Sequence, residues 1–212
     1  MKIKVLITDD HKIVRDGLKE ILSHVTEISS ISEAKNGNEA LAMISAGKFD
    51  LILLDISLPD INGLDVLQAI MRKIPEQKVL ILSMYPQEIY ALRALKIGAC
   101  GYLTKDAASE ELIQALRKIV EGGKYISSAI AENIARQMGP DYAKPIHELL
   151  SQREFEILIK IAGGKSLQEI GDELFISGKT VSTYRSRLMN KMGLRNNSEL
   201  IQYCLRTGLL NL

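Results

Sequence analysis

Three carboxylates, a hydroxyl and an ammonium stand at the ends of short apolar runs. Asp9 and Asp10 follow "KVLIT", Asp55 follows "LILL", Ser83 closes "KVLILS", and Lys105 follows "GYLT". Carboxylates crowded together repel, and one of them takes up a proton unless a cation sits among them. Oxygen donors of this kind suit a hard ion such as Mg²⁺, which keeps several waters and uses one or two carboxylates with phosphate oxygens. A lysine adds a point charge able to hold a phosphoryl oxygen. No general base stands beside a Ser or Cys nucleophile in this set. The chemistry it suits is attack by a carboxylate, Asp55, on a phosphoryl group, with metal and lysine neutralising charge in the transition state. A lone acid at a strand end is most often just solvated; the functional reading rests on all of these residues occupying successive strand-end positions.

Such residues meet only if the runs preceding them are neighbouring strands. Lys4–Thr8, Ile28–Ala34, Leu51–Asp55, Lys78–Ser83 and Gly101–Lys105 read as strands, each followed by an amphipathic stretch of helical period. Strand and helix in strict alternation imply an α/β, doubly wound, five-stranded parallel sheet with helices on both faces. "LILL" and "VLIL" are continuously apolar, as central parallel strands are. The ligand crevice of such a sheet lies at the carboxyl ends of its strands, where the acids, Ser83 and Lys105 converge.

Gly122-Gly123 closes this unit. "YISSAIAENIARQM" is expected to form one more helix, capped at Ser127 or Ser128, and "GPDYAKP" reads as a linker. Beyond it the pattern is purely helical. Ser151 with Glu154, and Ser166 with Glu169, are capping-box pairs that open two helices; "ISGK" is a tight turn; "TVSTYRSRLMNKM" ends at Gly193 and "SELIQYCLRTG" follows. From Leu174 to Ser198 there is no acid, while Lys179, Arg185, Arg187, Lys191 and Arg195 are basic. In a chain of net charge +1, that local excess points to a polyanion. Two short helices joined by a tight turn, the second basic, describe a helix-turn-helix. The division expected is 1–122, 123–146 as linker with a helix, and 147–212 as a small all-α domain.

Apolar residues make up 46% and charged residues 25% of 212, an ordinary mix for a folded chain. No apolar run approaches ~18 residues, and the N-terminal run is too short for a signal peptide, so no membrane partner is expected. Cys100 and Cys204 are far apart and lack metal-ligand spacing, which suggests two reduced thiols and a cytoplasmic setting. His11 follows the acidic pair and is expected to start the first helix rather than to act as a base. His24 and His147 stand alone, and Tyr85 and Tyr90 are expected near the face that holds Ser83.

Residues 1 to about 122 resemble a response-regulator receiver domain, a flavodoxin-like fold, through "ITDDH", "LLDISLPDINGLD", "ILSM" and "GYLTKDA". The resemblance implies that Asp55 is phosphorylated by a sensor histidine kinase. It implies that Asp9, Asp10, Asp55 and the backbone carbonyl of Ser57 hold Mg²⁺, and that Ser83, Tyr102 and Lys105 bind the phosphoryl group or respond to it. Ser83 is drawn toward the phosphoryl group and Tyr102 moves into the space vacated. Asp106 departs from the proline that many receivers carry after the lysine. The C-terminal stretch, "LLSQREFEILIKIAGGKSLQEIGDELFISGKTVSTYRSRLMNKMGLRN", resembles the LuxR-type helix-turn-helix of NarL/FixJ response regulators. That resemblance places Ser182, Thr183 and Ser186 against bases of double-stranded DNA. Lys179, Thr180, Arg185, Arg187 and Lys191 would contact phosphates, and Tyr184 stands where the family commonly has His. The expected protein is a DNA-binding transcriptional regulator, a homodimer when phosphorylated, and no enzyme beyond phosphotransfer to its own Asp55 and autodephosphorylation. The rivals are a Mg²⁺-dependent phosphohydrolase with an aspartyl nucleophile, and a regulator that ignores phosphorylation and works through partner binding.

Overall fold

The computed structural model describes residues 2–85, 87–107, 109–128, 130–132 and 145–210. The chain divides into two compact units, Met1–Met138 and Gly139–Leu212.

In the first unit strands and helices alternate: β1 (Ile3–Thr8), α1 (Lys12–Ser23), β2 (Ile28–Ala34), α2 (Gly37–Ala46), β3 (Leu51–Leu54), α3 (Gly63–Lys73), β4 (Val79–Ser83), α4 (Gln87–Ile97), β5 (Gly101–Thr104) and α5 (Ser109–Val120). The strands form one five-stranded sheet in the order β2-β1-β3-β4-β5, with every pairing parallel. The expected sheet and its strands are therefore present, with ends shifted by a residue where turns take over. Because side chains alternate across a strand, Ile3, Val5, Ile7, Leu51, Leu53, Leu80, Leu82 and Leu103 share one face and pack with Leu22 of α1 and Leu112, Ala115, Leu116 and Ile119 of α5. Leu6, Ile52, Leu54 and Ile81, of opposite parity, are equally buried. A sheet covered on both faces explains the unbroken apolar runs.

Register decides where the chemistry sits. Thr8 pairs with Leu54 and Ser83 with Thr104. Asp9 and Asp55 therefore leave adjacent strands at the same level, and Asp55 N–H donates to the Thr8 carbonyl at 2.9 Å. Lys105 N–H donates to the Ser83 carbonyl at 2.9 Å, which brings the end of β5 level with that of β4. The chain leaves β1 for β2 and then crosses back to β3, so the gap between β1 and β3 is the switch point at which such sheets bind ligands. Gly63 opens α3 directly over this edge: a Cβ there would lie 1.9 Å from the Asp55 carbonyl oxygen.

After α5, Tyr125 makes a single bridge to Gly101 and donates its N–H to the Cys100 carbonyl at 2.8 Å. Ser128 and residues 130–132 are helical. The remainder of the helix expected over "YISSAIAENIARQM" and most of "GPDYAKP" lie outside the described residues.

The second unit has a short 3₁₀ turn (Ile146–Leu149) that sequence reading did not foresee, then α6 (Gln152–Ala162), α7 (Leu167–Glu173), α8 (Gly178–Met192) and α9 (Asn197–Arg206), with no strand among the described residues. Both expected capping boxes form, at Ser151/Glu154 and Ser166/Glu169. Ser177 caps α8 by accepting from Thr180 N–H, and Gly193 ends it in a left-handed conformation. Gly178 is therefore the first helical residue of α8 rather than part of the turn. The turn between α7 and α8 is tight because Gly171 lacks a side chain; a Cβ there would meet the Ile176 carbonyl at 2.7 Å. Phe155, Leu158, Ile170, Val181, Leu188, Leu200 and Cys204 form the buried faces of these helices.

Candidate functional site

Asp9 and Asp55 are each 2% exposed. Lys105, with a side chain 7% exposed, reaches between them and sets its Nζ 2.6 Å from Asp9 Oδ2 and 2.7 Å from Asp55 Oδ2. One ammonium thus serves two buried carboxylates. Burial pushes the Asp55 carboxyl above its ordinary range, and Asp9 adds to this; Lys105 opposes the rise without cancelling it. For Lys105 burial works downward, but Asp55 and Asp9 outweigh it and hold the ammonium charged. Asp55 Oδ1 is buried and has no hydrogen bond of good geometry; the Ser57 amide beside the carboxyl joins Lys105 in opposing the rise. A buried carboxylate oxygen so poorly satisfied is costly, and it is the kind of atom a cation or an incoming electrophile would satisfy.

Asp10 is partly exposed beside this pair. Asp9, Asp10, His11 and Asp55 can each offer one ligand atom, all within 4.8 Å of one another. The residues present therefore fit a divalent cation, by donor type and by the unsatisfied Asp55 oxygen. Ser57 lies in the β3–α3 loop next to Leu58, whose N–H donates to the Ile56 carbonyl at 3.1 Å.

Ser83 and Tyr102 both hold the backbone of Tyr85, one at its N–H and the other at its carbonyl. Ser83 Oγ accepts from Tyr85 N–H at 3.2 Å, and Tyr102 donates its hydroxyl to the Tyr85 carbonyl at 2.7 Å. The Tyr85 ring stacks on Tyr90 with centroids 4.6 Å apart. Tyr102 is already fully buried. The Tyr85 carbonyl gives the Tyr102 hydroxyl a partner inside. Asp106 is exposed, clear of the buried groups.

His11, and two residues that sequence reading passed over, Arg15 and Asp60, support the pocket. His11 is the N-cap of α1, as expected of its place in the chain, but its side chain does not cap the helix. Its ring turns back, with Nδ1 2.8 Å from Asp10 Oδ1 and 3.2 Å from Asp9 Oδ1. Arg15 donates to the Asp9 carbonyl at 2.8 Å and pairs with Glu33 at 3.0 Å. Asp60 accepts from the Gly37 and Asn38 amides at 2.9 and 2.8 Å, pinning the start of α2 to the β3–α3 loop. The signal for Arg15 was its spacing one helical turn beyond His11; for Asp60, an acid directly after Pro59 in a turn.

The other charged surface is built differently. On α8, Lys179, Thr180, Thr183, Ser186, Arg187 and Lys191 are exposed, Ser182, Tyr184 and Arg185 are half-buried, and Val181, Leu188 and Met192 face inward. Thr183 and Ser186 hydroxyls donate back to the carbonyls of Lys179 and Ser182 at 3.1 and 3.0 Å, which leaves their lone pairs outward as acceptors. Arg185 is held by Asn197 Oδ1 at 2.9 and 2.7 Å, and the Arg187 guanidinium lies 5.9 Å from the Tyr184 ring centre. Lys191 pairs with the buried Glu154 at 2.6 Å while 44% of its side chain stays exposed. Burial works to raise the Glu154 carboxyl, but Lys191 and the Ser151 amide and hydroxyl outweigh it and hold it low.

Residues 5–117 match the response regulator receiver domain, and residues 148–204 match the luxR family of bacterial regulatory proteins. The chain belongs to the response regulators. It is a two-component response regulator with a LuxR-type helix-turn-helix DNA-binding domain, and not a conventional enzyme. The regulator is 35% identical over 210 residues to response regulator UvrY of Escherichia coli, covering 99% of this chain and 96% of the relative. It is likewise 35% identical over 210 residues to response regulator GacA of Pseudomonas syringae, covering 99% of this chain and 98% of the relative. RcsB from Salmonella enterica serovar Typhimurium, solved bound to a promoter in the presence of the phosphomimetic BeF3−, shares the fold with a TM-score of 0.63 at 24% identity, covering 95% of this chain and 98% of that one. No helix among the described residues is long and apolar enough to cross a membrane.

Proposed function

We propose that Asp55 is the phosphoacceptor of this regulator, charged by a sensor histidine kinase, and that its phosphorylation switches dimerisation and DNA binding. The observation that carries the reading is the division of labour at Asp55: Lys105 occupies Oδ2 while Oδ1 stands buried and without a hydrogen bond of good geometry. Oδ1 attacks phosphorus, the bond from phosphorus to the imidazole nitrogen of the kinase breaks, and the electron pair returns to that imidazole. Asp9, Asp10, Asp55 and the Ser57 carbonyl would hold Mg²⁺, which when bound supplies positive charge to the phosphoryl oxygens. Lys105 turns from its two carboxylates toward a phosphoryl oxygen and neutralises charge there. Ser83 Oγ already accepts from Tyr85, so its own O–H is the group to donate to the phosphoryl oxygen. With Tyr102 holding the carbonyl of the same residue, Tyr85, the added charge biases the β4–α4 loop and the face made by α4 and β5 between two arrangements.

The proposed receiver spans 1–122, the linker 123–146 and the DNA-binding domain 147–212. Ser182, Thr183 and Ser186 face base edges, and Lys179, Thr180, Tyr184, Arg185, Arg187 and Lys191 set the helix against the phosphate backbone of double-stranded DNA. A homodimer presents two such helices to two half-sites, in the cytoplasm, where a phosphorylated aspartate and reduced thiols are both at home.

The test is intact mass after incubation with acetyl phosphate and Mg²⁺. One labile phosphoryl adduct on the wild-type chain and none on Asp55→Asn is the expected result. An adduct that persists in Asp55→Asn, or none in either, overturns the assignment. Steady turnover of added phosphoester would instead favour a phosphohydrolase, and unchanged DNA affinity in Asp55→Asn would favour a regulator indifferent to phosphorylation.

A further inference from the structure

We infer that Asn197 is a positioning residue for DNA binding: its neutral side chain holds the Arg185 guanidinium by one edge, so that the other edge, with its charge intact, meets a backbone phosphate. The inference rests on the reading of Arg185 as a phosphate contact and deepens it by naming the residue that prepares that contact.

Arg185 is half-buried on α8, one helical turn beyond Ser182. Its Nε–H and one Nη2–H both donate to Asn197 Oδ1, at 2.9 and 2.7 Å. Every N–H of a guanidinium donates and none of its atoms accepts, so the Asn197 amide can face Arg185 only by its oxygen. The opposite edge, made by Nη1 and the remaining Nη2–H, has no protein acceptor among the described residues. A fork of that shape matches two oxygens of one phosphate.

Asn197 is spared for this task by its neighbour. Asn196 caps α9, accepting from Glu199 N–H at 3.0 Å, and Glu199 in turn accepts from Arg195 N–H at 2.8 Å. Asn197 follows as the exposed first residue of the helix, and its side chain takes no part in the cap. The kind of acceptor matters as well. Arg15, Arg117 and Arg153 each pair with a glutamate, at 3.0, 3.3 and 2.9 Å, which offsets their charge. Asn197 restrains Arg185 without offsetting it, so the guanidinium is fixed in place and still fully cationic. Ordering one long side chain on binding weakens association by a factor of about 2 to 12, a loss that a guanidinium already held largely avoids.

The experiment titrates the full-length regulator onto a labelled duplex of mixed sequence over a range of KCl, since a phosphate contact acts whatever the bases. Arg185→Ala should make the slope of log affinity against log salt shallower by about 0.9. Asn197→Ala should weaken binding about threefold to tenfold at the lowest salt, and should add little to the loss already caused by Arg185→Ala. Asn197→Asp keeps an oxygen for Arg185 but adds a negative charge; it should melt no lower than the wild type and yet bind DNA more weakly. A wild-type affinity in Asn197→Asp would make Asn197 a mere tie between α8 and α9 and overturns the proposal. Losses from Asn197→Ala and Arg185→Ala that simply add also overturn it, since Asn197 would then act without Arg185. If Arg185→Ala flattens the slope while Asn197→Ala binds like the wild type, the phosphate contact stands and the positioning role falls. A slope unchanged by Arg185→Ala removes both.

Discussion

Asp55 and Glu154 are both buried carboxylates with a lysine at hydrogen-bond distance, 2.7 Å from Lys105 and 2.6 Å from Lys191, yet their protonation is displaced in opposite directions. Asp55 is raised and Glu154 is lowered. The difference is in how each charge is satisfied. Glu154 accepts the Ser151 amide at 2.8 Å within a capping box and has Lys191 to itself. Asp55 shares Lys105 with Asp9 and keeps one oxygen without a hydrogen bond of good geometry. The first arrangement holds helices α6 and α8 together. The second holds unpaid electrostatic cost in reserve, which is relieved when a cation or a phosphoryl group arrives.

The largest effect expected from breaking this contrast is on chemistry. Lys105→Ala should slow phosphorylation of Asp55 by acetyl phosphate about a hundredfold or more, followed by mass spectrometry, because a preorganised charge at the transition state is lost. A rate within threefold of wild type would show that the ammonium is a structural counter-ion only. Next in size, Glu154→Gln should lower the stability of the second unit by about 2 kcal/mol, since it weakens a charge-assisted bond to Lys191 and half of a cap. Asp55→Asn should instead raise the melting temperature of the first unit. Thermal melts of the two variants that move in the same direction would erase the distinction between them.

A smaller effect concerns the exposed charges of α8, which act through counterion release rather than through a built pocket. Replacing Lys179 and Arg187 together by Ala should make the slope of log affinity against log salt shallower by about 1.8, near 0.9 for each lost contact. An unchanged slope in DNA titrations would remove both residues from the interface.

The smallest is the pH dependence. The Glu154 carboxyl lies below its unfolded value, so the stability it contributes is present above the ordinary carboxylate range, about 4.3, and is lost as pH falls through its lower folded value. The deficit of Glu154→Gln should therefore shrink as pH falls below about 4. Asp55 lies above its unfolded value, so its contribution is fully present below about 3.9 and lost as pH rises through the raised folded value. The gain of Asp55→Asn should accordingly be largest at neutral pH and shrink on acidification. Melts of each unit between pH 3 and 7 that show parallel curves would contradict the opposed shifts.

Much of this was legible along the chain. The alternation of apolar runs and amphipathic stretches announced the parallel sheet, and β-strand period put Asp9, Asp55, Ser83 and Lys105 at one edge, because a residue after a strand has little choice of end. The capping boxes at Ser151 and Ser166 were equally readable, since Ser and Glu three residues apart interact within one helical turn. The 3₁₀ turn at Ile146–Leu149 was not, as its residues carry no period of their own; His147 there meets the Tyr203 hydroxyl at 2.8 Å, a partner far along the chain.

What the sequence determined by itself, then, is which groups arrive at the crevice and which face of α8 is basic, because both follow from local period and strand polarity. Only the tertiary structure decided which oxygens Lys105 takes, that the His11 ring turns back onto the acids, that the Tyr102 hydroxyl donates to the Tyr85 carbonyl, and that Lys191 pairs with Glu154 while staying partly in solvent. These are side-chain torsions chosen by partners from other strands and helices, and no spacing along the chain records which partner packing will supply.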